Sequence, residues 1–168
     1  MRIRRLDDND AETIAAAFAA QGWHKPAEQY RRYAAEQAEG LRVTLIAEVD
    51  GVFAGYLNVV WESDYAGFRD AGIPEIADFN VLERFQRRGI GSALMDAAEA
   101  LVAERSAVAG IGVGMTADYG KAQILYVRRG YVPDGRGLDS HGKPVVYGMS
   151  VPVDHDLVLY LTRHVRLA

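Results

Sequence analysis

The chain has 168 residues, of which 49% are hydrophobic and 25% are charged, with a formal net charge of −4 and no cysteine. These values predict one globular domain over residues 1–168. They exclude disulfides, a thiol nucleophile and cysteine-ligated zinc, and they disfavour nucleic acid as a partner. Because no apolar run reaches the roughly 20 residues of a membrane span, we expect no membrane partner and a cytoplasmic location.

The N-terminal half is expected to alternate strands and helices. Acidic residues before Ala11 offer caps for an alanine-rich helix, and a second helix is predicted to begin at Pro26 and stop at Gly40. The pair Asp50-Gly51 is typical of a tight hairpin turn. We predict strands over residues 1–6, 42–49 and 52–61, and helices over residues 11–20 and 26–40.

The C-terminal half continues this alternation after an irregular insertion over residues 62–72. We predict strands over residues 75–82, 108–115 and 157–162, a strand from Tyr131 onward, and helices over residues 89–104 and 119–129. In the helix over residues 89–104, Leu94, Ala98 and Leu101 share one apolar stripe, which is typical of a helix that packs on a sheet. The whole order predicts an α/β fold, a mixed sheet with helices on both faces.

The segment Gln86-Arg87-Arg88-Gly89-Ile90-Gly91 lies between a predicted strand and a predicted helix. Free backbone N–H groups at a helix start attract anions, and glycines let a diphosphate approach them closely. Arg84, Arg87 and Arg88 add positive charge. The segment is neither a dinucleotide-binding fingerprint nor a P-loop. On its own it also fits a tight turn that merely needs glycine.

Two motifs resemble those of the GNAT superfamily of N-acetyltransferases. The first is the Gln-x-x-Gly-x-Gly of this segment, and the second is the run from Ala122 through Tyr126 to Gly130 and Tyr131. The resemblance implies a mostly antiparallel mixed sheet, splayed between two parallel strands, and acetyl-CoA as cofactor. It places cofactor contacts at Val81, Leu82, Gln86, Arg87, Arg88, Gly89, Ile90, Gly91, Ser92, Tyr119 and Ala122. Many members carry asparagine where this chain has Tyr119.

Amine acetylation needs a base for the amine and an acid for the departing thiolate. The resemblance places Tyr126 as this acid. Glu75, which lies 11 residues before Gln86, occupies the position of the base in some GNAT histone acetyltransferases. Asp78 is the alternative base, a ligand for the substrate ammonium, or a member of a structural hydrogen-bond network. Strand alternation puts Glu75 and Asp78 on opposite faces, and a bulge would change which of them points inward.

The residues from Trp61 to Asp78 contain five acids, one arginine and three aromatic residues. Carboxylates and aromatic rings suit a cationic acceptor, and Asp118, Asp134 and Asp139 extend the acidic character. We expect substrate contacts at Trp61, Glu62, Asp64, Tyr65 and Phe68. An aminoglycoside-type antibiotic is the leading acceptor, which would make the role antibiotic resistance. Protein, peptide or polyamine acceptors and a non-catalytic acyl-CoA-binding module remain alternatives, as does a solvated acidic loop.

The remaining polar groups predict no further chemistry. The four histidines show no metal-ligand spacing, so no metal site is expected, and Asp154-His155-Asp156 is expected to be an exposed turn. Ser63 and Ser92 lack a nucleophile signature. The strand near the C-terminus could pair across a dimer, so a monomer and a homodimer are both compatible with the sequence.

Overall fold

The computed structural model describes residues 1–165, and the chain divides into two compact units. The first contains Met1–Trp61 and Ile76–Leu101, and the second contains Glu62–Glu75 and the residues from Val102 onward. In chain order the elements are β1 (Arg2–Arg5), α1 (Ala11–Ala19), α2 (Ala27–Ala38), β2 (Arg42–Val49), β3 (Val52–Val60), α3 (Ala66–Arg69), β4 (Glu75–Val81), α4 (Ile90–Ala103), β5 (Val108–Gly114), α5 (Gly120–Arg128), β6 (Val132–Ser140), β7 (Lys143–Pro144) and β8 (Leu157–His164).

In the first unit, strands β1 to β4 are neighbours in chain order. The pairs β1–β2 and β2–β3 are antiparallel. Asp50 and Gly51 join β2 to β3 with φ angles of +51° and +78°. Positive φ at both central residues gives the turn a twist that matches the strands, which confirms the predicted hairpin.

The core of the first unit lies between helices α1 and α2 and strands β2 and β3. Helix α1 buries Ala11, Ile14 and Phe18, which share one face because they are three and four residues apart. The ring of Phe18 meets Phe53 and Tyr56 edge-on, with centroids 5.8 and 5.9 Å apart. Tyr30 of α2 also meets Tyr56 edge-on, with centroids 5.3 Å apart, so aromatic contacts hold both helices on the sheet.

In the second unit, the strands follow the order β5, β8, β6, β7, and each pair is antiparallel. Helix α5 ends before Gly130, whose φ is +87°, and the Tyr131 N–H donates to the Tyr126 carbonyl at 3.0 Å. This left-handed glycine ends the helix and starts the return strand, as the motif around Tyr126 predicts.

One face of β5 carries a glycine track, the three glycines Gly110, Gly112 and Gly114. An added Cβ atom would lie 2.4 Å from the Phe68 ring at position 110 and 2.5 Å from the Tyr119 ring at position 114. At position 112 it would lie 3.0 Å from the Tyr160 ring. Aromatic rings therefore occupy the space that side chains of β5 would otherwise fill.

The predicted α/β class and the predicted main helices and strands are confirmed. The predicted irregular insertion contains a helical turn, α3, because Phe68 packs on Gly110 and holds the segment in place. The last strand runs two residues beyond its predicted end, to His164. Among the described residues, no helix is both long and apolar enough to cross a membrane.

Candidate active site

The predicted phosphate loop forms the start of α4. Arg87 and Gly89 have φ angles of +59° and +78°, and the helix begins at Ile90. The Ala93 N–H donates to the Gly89 carbonyl at 3.0 Å. The N–H groups of Ile90, Gly91 and Ser92 consequently lie in the first turn of α4, where helical N–H groups have no acceptor within the helix. Arg87, Arg88 and Gly89 are exposed, so an anion can reach this turn from solvent.

The two glycines of this loop serve different purposes. At Gly89, nothing lies within 4 Å of an added Cβ, so the positive φ is what favours glycine. At Gly91, a Cβ would lie 3.1 Å from the Phe79 ring on β4, so close packing of helix on strand favours glycine. Open space at the helix start, with arginines beside it, suits a bound anion.

Hydrogen bonds within the first unit hold the end of β4 and the residues that follow it. The Leu82 N–H donates to the Ala54 carbonyl at 2.9 Å, and the Leu82 carbonyl accepts from Phe85 at 2.8 Å. Gln86 donates through Nε2 to the Val81 carbonyl at 3.2 Å. The N–H and the carbonyl of Leu82 are therefore both hydrogen-bonded within the protein, and the Gln86 side chain connects the loop to β4.

Glu75 is half-buried in the second unit. Its Oε2 accepts a hydrogen bond from Ser63 Oγ, which in turn accepts one from the Tyr65 N–H at 3.0 Å. Burial raises the pKa of Glu75, the Ser63 hydrogen bond lowers it, and the nearby Asp64 charge raises it, with burial the largest effect. A carboxyl with a raised pKa is suited to exchanging protons nearer to neutral pH.

Asp78 has a different environment, in the first unit. Its backbone adopts a φ of +46°, which breaks the regular strand at the place where the sequence left a bulge open. Five side chains donate hydrogen bonds to its carboxylate: Lys25, Gln29, Tyr33, Tyr56 and Asn80. A carboxylate offers about four acceptor sites, so these donors fill them.

None of these five partners was predicted from the sequence. Gln29 and Tyr33 are four residues apart on α2, a spacing that places both on one helix face. No sequence pattern indicates that this face meets Asp78, which is 45 residues after Tyr33. Burial raises the pKa of Tyr33 to about 12 and raises that of Tyr56 as well, so both phenols remain donors.

Tyr126 is almost fully buried on α5, with 4% of its surface exposed. Burial raises its pKa, and Tyr119 raises it further. The phenol therefore carries its proton at neutral pH. Tyr119 packs on Gly114, and its hydroxyl is 3.1 Å from Nδ1 of His155. Ala122 is half-buried one turn before Tyr126.

The residues predicted to contact the acetyl acceptor differ in their exposure to solvent. Tyr65 stacks on Tyr160, and its hydroxyl donates to Asp134 at 2.7 Å. Phe68 is only 1% exposed, so its ring packs in the interior and presents no surface to a substrate. Trp61 is half-buried, while Glu62 and Asp64 are exposed. Tyr160 is a member of this aromatic group that the sequence did not predict.

A further cluster brings His141 together with two residues of the predicted exposed turn. Nε2 of His141 is 3.0 Å from Asp154, and Nδ1 is 3.3 Å from Asp156. Candidate ligand atoms of these residues lie within 4.8 Å of one another. The sequence missed the grouping because 13 residues separate His141 from Asp154. Hydrogen bonds between the imidazole and the carboxylates account for the arrangement.

Residues 9–131 match the Acetyltransferase (GNAT) family. The chain belongs to this family. A GNAT acetyltransferase uses acetyl-CoA as its acetyl donor, so the predicted family, enzyme class and cofactor are confirmed. A comparison with curated protein sequences found no significant match.

Solved structures of other GNAT-like proteins resemble this one. A ribosomal-protein-alanine N-acetyltransferase from Brucella melitensis has a TM-score of 0.70 at 17% identity, covering 98% of this chain and 99% of its own. Ard1 from Thermoplasma volcanium has a TM-score of 0.69 at 23% identity, covering 98% and 97%. A protein from Salmonella typhimurium, solved with its cofactor acetyl-CoA, has a TM-score of 0.69 at 17% identity, covering 99% and 95%. At these identities the likeness shows the fold.

Proposed function

We propose that this GNAT enzyme transfers an acetyl group directly to a primary amine of a small cationic acceptor, with an aminoglycoside-type compound as the leading candidate. The observation that carries the proposal is the half-buried carboxyl of Glu75, which accepts a hydrogen bond from Ser63, has a pKa raised by burial, and lies in the same unit as the stacked rings of Tyr65 and Tyr160. Because the chain has no cysteine, an acetyl-cysteine intermediate cannot form, which favours direct attack by the amine.

Glu75 is the better of the two candidate bases. Its carboxyl accepts a hydrogen bond from the Ser63 hydroxyl, and its charge helps to raise the pKa of Tyr160. The Asp78 carboxylate is filled by five donors from its own unit, so it has no free acceptor site for an incoming ammonium group. We therefore assign proton removal to Glu75, directly or through one water, and a structural role to Asp78.

The start of α4 would hold the diphosphate of acetyl-CoA. The N–H groups of the first helical turn and the guanidinium groups of Arg87 and Arg88 supply donors and positive charge there. When bound, acetyl-CoA supplies the activated acetyl thioester. The protein's own contribution at this place is to orient the molecule.

Tyr126 is proposed to protonate the thiolate leaving group. Its buried phenol is protonated at neutral pH, so Oη carries a proton to donate. The assignment rests on the position of Tyr126 in its motif and on this protonation state.

The acceptor class is inferred from charge and aromatic surface. Tyr65 and Tyr160 are stacked and half-buried, and the carboxylates of Glu62 and Asp64 in the same unit are exposed. Such a surface attracts ammonium groups through carboxylates and ring faces. The solved structures named for ribosomal proteins keep a protein or peptide acceptor as the second candidate, with polyamines as a third.

Acetyl-CoA-dependent release of free thiol tests this proposal, measured against aminoglycosides, polyamines, amino acids and lysine or N-terminal peptides. The cysteine-free protein gives no thiol signal of its own. We expect release with small polycationic amines above the hydrolysis background. Release with peptides alone would replace the proposed acceptor by a protein. Tight coenzyme A binding without release for any amine would favour a non-catalytic binding module.

A further inference from the structure

Ser63, which is 1% exposed, contacts the carboxyl group of Glu75. Its Oγ accepts the Tyr65 N–H, and that contact occupies one side of the oxygen. The hydroxyl hydrogen is then directed to Oε2 of Glu75. Ser63 lies in the connection before α3, and Glu75 is the first residue of β4. The chain thus folds back over 12 residues to place a hydroxyl on this carboxylate.

We infer that Ser63 is a positioning residue for Glu75, whose hydroxyl fixes the orientation of the carboxylate and stabilises its ionised form. Since this inference concerns the base, it rests on the proposed function. The Ser63 hydroxyl neither attacks a substrate nor carries an acetyl group.

The other groups that face this carboxylate strengthen the case. Asp64, next to Ser63 in the chain, opposes ionisation of Glu75 by its own charge. Tyr160 on β8 is neutral at ordinary pH, because burial and the nearby carboxylates of Glu75, Asp139 and Asp156 raise its pKa. Among the described groups that shift the pKa of Glu75, Ser63 is the one that lowers it. Removing the hydroxyl should therefore leave the ionised base less stable.

The kinetic experiment compares Ser63→Ala with the wild type in the pH dependence of kcat/KM. Because the base must be ionised, activity rises with pH through the titration of Glu75 in the free enzyme. Ser63→Ala should move this rise to higher pH, lowering kcat/KM about tenfold on the acid side while the alkaline plateau stays within about threefold. Ser63→Thr retains the hydroxyl and should restore the wild-type profile.

Ser106→Ala is the matched control. Ser106 Oγ donates to the Val108 carbonyl at 2.8 Å and accepts the Val108 N–H at 3.1 Å, so the same loss of a bonded hydroxyl occurs away from Glu75. Its profile should keep its position on the pH axis. A Ser63→Ala profile that falls by one factor at every pH, like a general structural defect, would overturn the inference.

A second measurement does not depend on activity. The free energy of unfolding is measured in urea at pH 5 and pH 8 for Ser63→Ala in the wild type and in Glu75→Gln. Because the pKa of Glu75 is higher in the folded protein than in the unfolded chain, the free energy of unfolding falls as the pH rises from the unfolded pKa through the folded one. Losing Ser63 should enlarge this fall only when residue 75 is glutamate. Equal effects of Ser63→Ala in both backgrounds would overturn the inference. Full activity in Glu75→Gln, together with a clear pH-dependent coupling, would refute the proposed base and leave the Ser63 contact standing.

Discussion

The ring of Tyr65 lies flat on the ring of Tyr160, with centroids 3.6 Å apart and planes 7° from parallel. The Tyr65 hydroxyl also donates to Asp134 on β6 at 2.7 Å. One side chain therefore connects the segment before α3 to both β8 and β6. The insertion is therefore held in place on the second unit by Tyr65, and a selective binding surface would require such a fixed position.

We expect Tyr65→Phe to preserve the stack and remove the hydrogen bond. The Asp134 side chain is largely buried, with 6% exposed, and it would lose a donor to one oxygen. This should lower the free energy of unfolding by about 1–3 kcal/mol, measured in urea. Tyr147→Phe is the control, because Tyr147 is fully exposed and its hydroxyl faces water. Equal stability of the two variants would show that the Asp134 contact contributes little.

The Lys25–Asp78 pair gives a second expectation. Nζ of Lys25 is 2.9 Å from Oδ1 of Asp78, and both side chains are mostly covered. We expect Lys25→Met to destabilise the protein by about 1–3 kcal/mol, because it leaves a partly buried carboxylate without its cation. Arg31→Met, which breaks exposed ion pairs, should change stability by less than about 0.5 kcal/mol. A double-mutant cycle with Asp78→Asn should reveal a coupling; additive effects would contradict it.

The two candidate bases can be separated by activity. Glu75→Gln should lower turnover about 100-fold or more, since it removes the proton acceptor. Asp78→Asn keeps a residue that tolerates positive φ and should leave turnover within about threefold once the folded fraction is corrected. Steady-state kinetics on purified, folded variants checks both. The reverse order of effects would transfer the base to Asp78.

The proposed acid is tested by Tyr126→Phe. Turnover should fall at least about tenfold while the affinity for coenzyme A barely changes, because the substitution removes the proton-donating hydroxyl and keeps the ring. Tyr131→Phe is the matched control, because it removes a phenol oxygen from a ring whose centroid is 6.1 Å from that of Tyr126. Rapid-mixing kinetics and calorimetry give the two quantities. Unchanged turnover in Tyr126→Phe would remove its assigned role.

The anion site is tested by Gly89→Glu. A carboxylate at the start of α4 should repel the diphosphate and weaken coenzyme A binding at least about tenfold, more strongly at low salt. Gly40→Glu matches it closely, because Gly40 has the same φ of +78° and open space around its Cβ position. Calorimetry at two salt concentrations compares the variants. If both variants bound coenzyme A equally weakly, backbone strain rather than charge at the start of α4 would explain the effect.

The fold was largely predictable because its signals are local. The hairpin at Asp50-Gly51, the start of α2 after Pro26 and the end of α5 at Gly130 each follow from residues next to one another. The loop before α4 and the motif around Tyr126 are equally local. The helical turn α3 was missed, because its order comes from Phe68 packing on a glycine 42 residues further along the chain.

The candidate site was predictable only in part, for the same reason. Glu75 and Asp78 could be named from the sequence, but their roles depend on side chains distant along the chain. Lys25, which is 53 residues before Asp78, indicates a structural role for that carboxylate. Ser63 belongs to no recognisable sequence motif, and its contact with Glu75 is visible only in the folded chain. Tertiary contacts, rather than residue types, distinguish the proposed base from the acid that we propose is structural.

The glycine track on β5 restricts how this chain can diverge. Alanine at position 110 would place a carbon atom 2.4 Å from the Phe68 ring, and alanine at position 114 would meet the Tyr119 ring at 2.5 Å. A single substitution at either glycine therefore overpacks the interior, at about 1–3 kcal/mol. Homologues should keep each glycine with its ring or exchange the two together. Correlated substitutions at the pairs 68 and 110, and 114 and 119, are the evolutionary trace that this packing should leave.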